Sequence, residues 1–341
     1  MNIIQQTVLD NLPSKRKTAP SGWTSFNAQC CTHLGHSQDT RGRGGIITAP
    51  DGSISYHCFN CNFKSTWRPG WHFNFKFRRL LSWFGVAQND VQRLVFEAMR
   101  IREELVDVVE EIDKQQEKIE FDPRPLPEES ADIRQVATMM ALDPNYETTQ
   151  NFRDVVSYAV ERKINTQRYP IFYSTSSNVN MDRRVIIPFT WQDKIIGYTA
   201  RAMDPSIKPK YFNSYDSNYV FNTDAQTKDT KFVIVCEGPF DAMAVDGVAI
   251  LSNNINDTQA EIIDRLGKRV IVVPDFDRAG QRMIQDAIEY DWEVSFPTWS
   301  ETCKDVGEAV QRYGKLFVVK NILDNAQASK LKINLMRKAI K

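Results

Sequence analysis

The chain is expected to fold as a multidomain α+β and α/β protein, with an N-terminal metal-pinned β module, a helical linker region and a C-terminal α/β core. Three observations predict this. Cysteine and histidine stand in two tight clasps, Cys30-x2-His33 and Cys58-x2-Cys61. Helical periodicity then runs through residues from about 72 to 163, broken by Pro123, Pro125 and Pro127. From residue 231 onward, short β-branched runs alternate with helical segments, the pattern of a parallel sheet with crossover helices. The expected domains are 1–75 for the metal module and 76–165 for the helical linker. Residues 166–230 form a basic first part of the core, and 231–341 an acidic second part with C-terminal helices.

Each element has its own signal. Ile46–Ala49 and Ile54–Tyr56 flank a Pro50-Asp51-Gly52 turn and read as two short strands, so a β-ribbon fits better than a helical finger. Leu80, Leu81 and Phe84, then Val91, Leu94, Val95 and Ala98, recur at i, i+3, i+4 spacing and predict helices. Residues 101–119 are charged and read as a solvated helix, and 130–163 as a further helical region. Arg184–Phe189 and Ile195–Arg201 are strands around a Gln192-Asp193-Lys194 turn. Strands are expected at Phe232–Val235, Val248–Leu251, Val270–Val273 and Val294–Phe296. Helices are expected at Phe240–Val245, from a cap at Asp257 to near Gly267, and at Arg278–Tyr290.

The bulk numbers exclude some classes. The 341 residues allow about two to three domains. Composition is 42% hydrophobic and 25% charged, with 43 basic and 43 acidic residues, ordinary for a soluble globular protein. Zero net charge leaves local basic strips open. No apolar run approaches the roughly 20 residues that span a membrane. The N-terminus lacks a basic start followed by an apolar stretch, so it is not a secretory signal, and a cytoplasmic location without a membrane partner is expected. In a reducing compartment the C-x2-C pair reads as metal-binding before disulfide.

Zinc in a closed site takes four N or S ligands. Cys30, His33, Cys58 and Cys61 supply them, with Cys31 the alternative to Cys30. His36, His57 and His72 are read as surface histidines. Arg41 and Arg43 lie on the ribbon, and Phe59, Phe63, Trp67 and Trp71 interleave with Lys64, Arg68, Lys76, Arg78 and Arg79. As a patch, these suit unpaired bases and phosphates.

The second constellation is acidic. Glu237 follows one strand, Asp275 and Asp277 follow another, and Asp305 stands in a later loop. The intervening residue of Asp275-Phe276-Asp277 turns away, so both acids can face one pocket. Carboxylates without Cys or His suit magnesium, and two such ions about 4 Å apart can activate a hydroxyl and neutralise a leaving pyrophosphate. Arg184, Arg201, Lys208 and Lys210 form a basic strip suited to a triphosphate or template backbone.

Together these motifs resemble DnaG-type DNA primases, and the length resembles a stand-alone phage-encoded primase. Cys30-x2-His33 with Tyr56-His57-Cys58-Phe59-Asn60-Cys61 looks like their zinc ribbon. Arg184–Phe189, Gly197–Arg201 and Lys210–Ser214 look like the basic strands of their RNA polymerase core. Glu237-Gly238, Asp275–Gly280 and Lys304-Asp305 look like the magnesium motifs of the Toprim fold. The match covers roughly 25–75 and 180–310, while 85–175 matches nothing recognised. The adjacent cysteines and the long spacer between the clasps depart from the bacterial pattern.

The resemblance implies a primase that makes short RNA primers on single-stranded DNA from ribonucleoside triphosphates, with one zinc and magnesium or manganese. Asp275, Asp277 and Asp305 would hold the ion, and Glu237 would hold metal or act as base. Arg184, Arg201, Lys208 and Lys210 would hold nucleotide and template. No G-x4-G-K-[ST] motif occurs, so a separate replicative helicase is the expected partner, with single-strand binding protein beside it. The alternatives are a Toprim nuclease or topoisomerase-like enzyme, and a non-catalytic zinc-ribbon DNA-binding protein.

Overall fold

The computed structural model describes residues 2–105, 118–143, 145–176, 178, 180–227, 229–275, 280–299 and 303–338. The chain divides into two compact units: Met1–Ile119 with Ile263–Gly267, and Glu120–Ile262 with Lys268–Lys341. Among the described residues no helix is long and apolar enough to cross a membrane.

The first unit is built on an antiparallel five-stranded sheet in chain order: β1 Arg16–Thr18, β2 Thr24–Phe26, β3 Gly44–Thr48, β4 Ile54–Cys58 and β5 Lys64–Trp67. Period-2 alternation sends Ile54, Tyr56 and Cys58 inward, as strand geometry requires. Among the described residues of this unit are the helices α1 Ile3–Asp10, α2 Cys30–His33, α3 Phe75–Trp83 and α4 Gln88–Glu104. Phe77, Leu80 and Leu81 of α3 and Val91, Leu94 and Ala98 of α4 share one core with Ile46, Tyr56 and Trp67. This corrects the expected boundary at 75/76. Strands of three to five residues cannot cover their own inner face, so the following helices serve as its wall. The solvated helix expected at 101–119 falls largely on 106–117, outside the described residues.

The second unit contains two sheets. One is antiparallel, in the order β10-β9-β8-β7-β6: β6 Ser130–Asp132, β7 Phe172–Ser174, β8 Arg184–Trp191, β9 Lys194–Ala202 and β10 Tyr211–Ser214. The β8–β9 hairpin turns through Gln192 and Asp193, both at positive φ (50° and 63°), the signature of a type I′ turn. The other sheet has the order β12-β11-β13-β14-β15: β11 Phe232–Cys236, β12 Val248–Ala249, β13 Arg269–Val272, β14 Glu293–Ser295 and β15 Ala326–Gln327. Its first four strands are parallel, and β15 is antiparallel.

Among the described residues from 120 onward the helices are α5 Ile133–Leu142, α6 Gln150–Glu161, α7 Pro239–Val245, α8 Asp257–Asp264, α9 Gly280–Glu289, α10 Val306–Tyr313, α11 Lys315–Asp324 and α12 Lys330–Arg337. Asn256, rather than the expected Asp257, caps α8: its Oδ1 accepts the Gln259 N–H at 2.9 Å. Ile133 and Val136 of α5 and Val155 of α6 enter the same core as Ile187, Ile234 and Ile271. The expected 76–165 region is therefore divided, with α3 and α4 in one core and α5 and α6 in another.

Candidate functional site

The thiol cluster forms where α2 starts and β4 ends. Cys30 and Cys31 open α2, Cys58 closes β4, and Cys61 lies in the turn that follows. Asn62, at φ 62°, reverses the chain into β5. The four sulfur atoms all lie within 4.8 Å of one another. Cys30 approaches Cys61 at 3.3 Å, and Cys31 approaches Cys58 at 3.5 Å.

His33 is not part of this set, which corrects the expected ligands. Its imidazole stacks on Trp83 of α3, with centroids 5.3 Å apart and planes at 8°. The imidazole is held against α3 by this stacking, while the two adjacent cysteines both reach the sulfur cluster. Cys30 and Cys31, expected as alternatives, are both members.

Burial pushes the Cys30 thiol up and the Cys31 thiol to about 11. Burial also acts to raise Cys58, but N–H donation from Cys61 and Asn60 outweighs it and holds that thiol below its ordinary value. Buried thiolates this close require a cation, and an all-sulfur set of this size suits zinc.

Around the thiols the aromatics divide. Trp67 is fully buried, and Phe63 and Trp71 pack against the core. Phe59 is 68% exposed, with the His57 ring 4.1 Å away. The buried carboxylate of Asp39 accepts the N–H groups of Ala28, Arg41 and Arg43 at 2.8, 2.9 and 2.7 Å, which shapes the loop carrying both arginines.

The second unit gathers acids at strand and helix ends. β11 and β13 are parallel neighbours, so Glu237 and Asp275 emerge at the same edge. Gly238 caps α7, Pro239 takes its first position, and Asp241 stands in its first turn. Gly280 admits the Asp275 backbone: a Cβ there would lie 2.1 Å from the Asp275 carbonyl oxygen. Asp305 caps α10 by accepting the Glu308 N–H at 2.7 Å, and Asp241 accepts the Gly307 N–H at 2.8 Å.

Burial, then the carboxylates of Asp305 and Asp275, push the Asp241 carboxyl up to about 7, against the Gly307 N–H and Arg162. The Glu237 oxygen Oε2 is buried. Among the described residues these acids do not converge as tightly as the thiols. Asp277 lies outside the described residues.

Cations border the acids. Arg201 on β9 donates to the Tyr211 hydroxyl at 2.9 Å and lies 5.0 Å from the Phe240 ring centroid. Arg162, at the end of α6, stacks on Tyr158 at 5.0 Å and Phe240 at 5.7 Å. Burial, then Arg201 and Arg162, lower the Lys210 ammonium, while Asp305 acts to raise it. Lys208 is exposed beside this group.

Arg184 has a different place from the one expected. It is 1% exposed and donates to the carbonyls of Asn180, Ala200, Pro209 and Lys210, with its guanidinium over Phe212. Those bonds tie β8 to β9 and to the loop before β10.

Residues 234–310 match the family described as Toprim-like. This stretch is similar to the Toprim-like family. A DNA primase of Aquifex aeolicus is 26% identical over 152 residues, 39% of this chain and 30% of that protein. A DNA primase of Clostridium acetobutylicum is 31% identical over 113 residues, 29% of this chain and 19% of that protein. The structure of the DnaG catalytic core covers 61% of this chain and 84% of its own, with 17% identity and a TM-score of 0.47. The chain thus spans less than a third of the length of these two curated relatives.

Within residues 234–310, sequence reasoning missed Asp241. Its signal was available: Glu237-x3-Asp241 straddles a strand end and the first turn of the next helix. Arg162 was also missed. It follows Glu161 in an ordinary charged helix end, and only the stacking of Tyr158 and Phe240 distinguishes it.

Proposed function

We propose that this chain is a DNA primase, which synthesises short RNA primers on single-stranded DNA from ribonucleoside triphosphates. The observation that carries the reading is the juxtaposition, within the second unit, of the acids Asp241, Asp275 and Asp305 with the cations Arg162, Arg201 and Lys210. Nucleotidyl transfer needs both charges side by side. Magnesium or manganese held by Glu237, Asp241, Asp275, Asp277 and Asp305 would activate the 3′-hydroxyl and neutralise the leaving pyrophosphate. Arg162, Arg201, Lys208 and Lys210 would bind and orient the triphosphate and the template backbone. Phe240, beneath two guanidinium groups, would keep both at fixed height.

In the first unit Cys30, Cys31, Cys58 and Cys61 would hold one zinc, and the ribbon would help to select the template start site. A separate replicative helicase and single-strand binding protein are the proposed partners, with the work done in the cytoplasm. The test is primer synthesis on random single-stranded DNA with labelled ribonucleotides and magnesium. Labelled products of a few nucleotides that need template and all four ribonucleotides are expected. Cleavage of DNA without nucleotides, and no primers, would favour a Toprim nuclease instead.

A further inference from the structure

Four thiolates around one zinc carry a net charge of −2, and a buried excess charge is costly unless hydrogen-bond donors offset it. Two side chains supply such donors. The Tyr56 hydroxyl, buried between Phe26 and Phe84, lies 3.3 Å from Cys30 Sγ. Asn60 donates through Nδ2 to Cys31 Sγ at 3.3 Å and through its backbone N–H to Cys58 Sγ at 3.4 Å. The adjacent cysteines are thus served by separate residues, one from the sheet core and one from the turn.

Asn60 has a further partner. Its Oδ1 accepts from Arg43 Nη1 at 2.5 Å. An amide whose oxygen accepts from a cation is a stronger donor through its nitrogen. The Arg43 backbone is held on both sides, with its N–H on Asp39 at 2.7 Å and its carbonyl accepting the Phe59 N–H at 2.9 Å. The guanidinium is therefore presented to Asn60 by a fixed loop.

We propose that Tyr56 and Asn60 are positioning residues that balance the charge of the four-thiol metal site, and that Asn60 relays the positive charge of Arg43 to the Cys31 sulfur. The relay makes Arg43 part of the metal site's electrostatics without making it a ligand. A phosphate held by Arg43 would draw on the same guanidinium, so zinc retention and nucleic-acid binding would be linked. This rests on the zinc reading above, and the experiment separates the two.

The full chain is prepared as Tyr56→Phe, Asn60→Ala, Arg43→Gln and Arg41→Gln variants, and zinc content is measured first. Zinc transfer to a chromogenic chelator is then timed, and the sulfur-to-cobalt charge-transfer band is recorded after cobalt substitution. Transfer should be about 10-fold faster in Tyr56→Phe and Asn60→Ala, the lower end of what outer partners of metal ligands contribute. Arg43→Gln should give an increase of roughly threefold and Arg41→Gln none.

The band should move to longer wavelength in the first three variants, because a thiolate that loses a donor gives up charge more readily. Tyr56→Phe keeps the ring, so the core stays packed even if Asn60→Ala fails to load metal. Wild-type transfer rates and an unmoved band in Tyr56→Phe and Asn60→Ala would overturn the charge-balance role. Arg43→Gln behaving like Arg41→Gln would overturn the relay. A wild-type chain without zinc would instead overturn the zinc reading itself.

Discussion

The two units bring negative groups together in opposite ways. In the first, four sulfur atoms close to within 4.8 Å of one another, and three of the four cysteines are buried. Among the described residues of the second, the acids are less tightly clustered, and Glu237, Asp241, Asp275 and Asp305 are half-buried. Backbone N–H groups of Gly307 and Glu308 hold two of them in place. Soft ligands that close completely leave no coordination position for a substrate, which is how structural zinc sites are built. Hard ligands that stay apart leave room for water and phosphate oxygens, which magnesium retains. The first arrangement suits holding a fold and the second suits chemistry.

The largest expected effect tests the closed site. Cys58→Ser or Cys31→Ser should take zinc from one per chain to none by elemental analysis. The first unit should then become protease-sensitive, because metal binding and folding are coupled in such modules. His33→Ala should keep the zinc. Its loss there, with retention in Cys31→Ser, would restore histidine as the ligand.

The next effect tests the open site. Asp275→Asn, Asp241→Asn and Glu237→Gln should each lower primer synthesis by at least about 100-fold while zinc content stays at the wild-type level. A variant that primes at the wild-type rate across a magnesium titration would remove its residue from the site.

A smaller contrast separates two arginines that look alike in the sequence. Arg184→Ala leaves several buried carbonyls without their donor and should cost roughly 3 kcal/mol of stability in denaturant melts. Arg201→Ala should leave stability near wild type and raise the KM for ribonucleotides about tenfold, or 1.4 kcal/mol. The reverse pattern would exchange their roles.

The smallest effect is on pH dependence. The Asp241 carboxyl is raised to about 7 in the folded chain, above its unfolded value of about 3.9. The folded state therefore binds the proton more tightly. The stability this contributes is full below about 4 and is lost as pH rises through about 7. Metal-free wild type should melt at a lower temperature at pH 8 than at pH 5, and Asp241→Asn should flatten that difference. A divalent ion should restore the melting temperature of wild type at pH 8 and leave the variant less affected.

Much of the architecture was legible from local patterns. The Pro50-Asp51-Gly52 turn announced the β3–β4 hairpin, and the β-branched runs before Glu237 and Asp275 announced strands of a parallel sheet. The strand β5 and the α3–α4 wall of the first core were harder to place. Lys64–Trp67 is too short and too polar to read alone, and helical periodicity does not say which core a helix covers. Asp277 lies outside the described residues, so its expected place beside Asp275 remains a proposal.

The sequence by itself determined which chemistry was available. The C-x2-C spacing marks a metal clasp because two thiols on one tight turn reach one ion. Acids after apolar strands gather at one edge of a parallel sheet because strand ends meet there, which is what the proposed hard-cation site needs. Only the tertiary structure decided which similar residues take which task. Cys31 joins the thiols and His33 does not, because Trp83, 50 residues further on, offers the imidazole a face to stack on. Arg184 is a tie and Arg201 is a candidate contact, because the loop before β10 closes over the first and leaves the second beside Phe240. Such choices depend on partners distant in sequence, and local spacing carries no record of them.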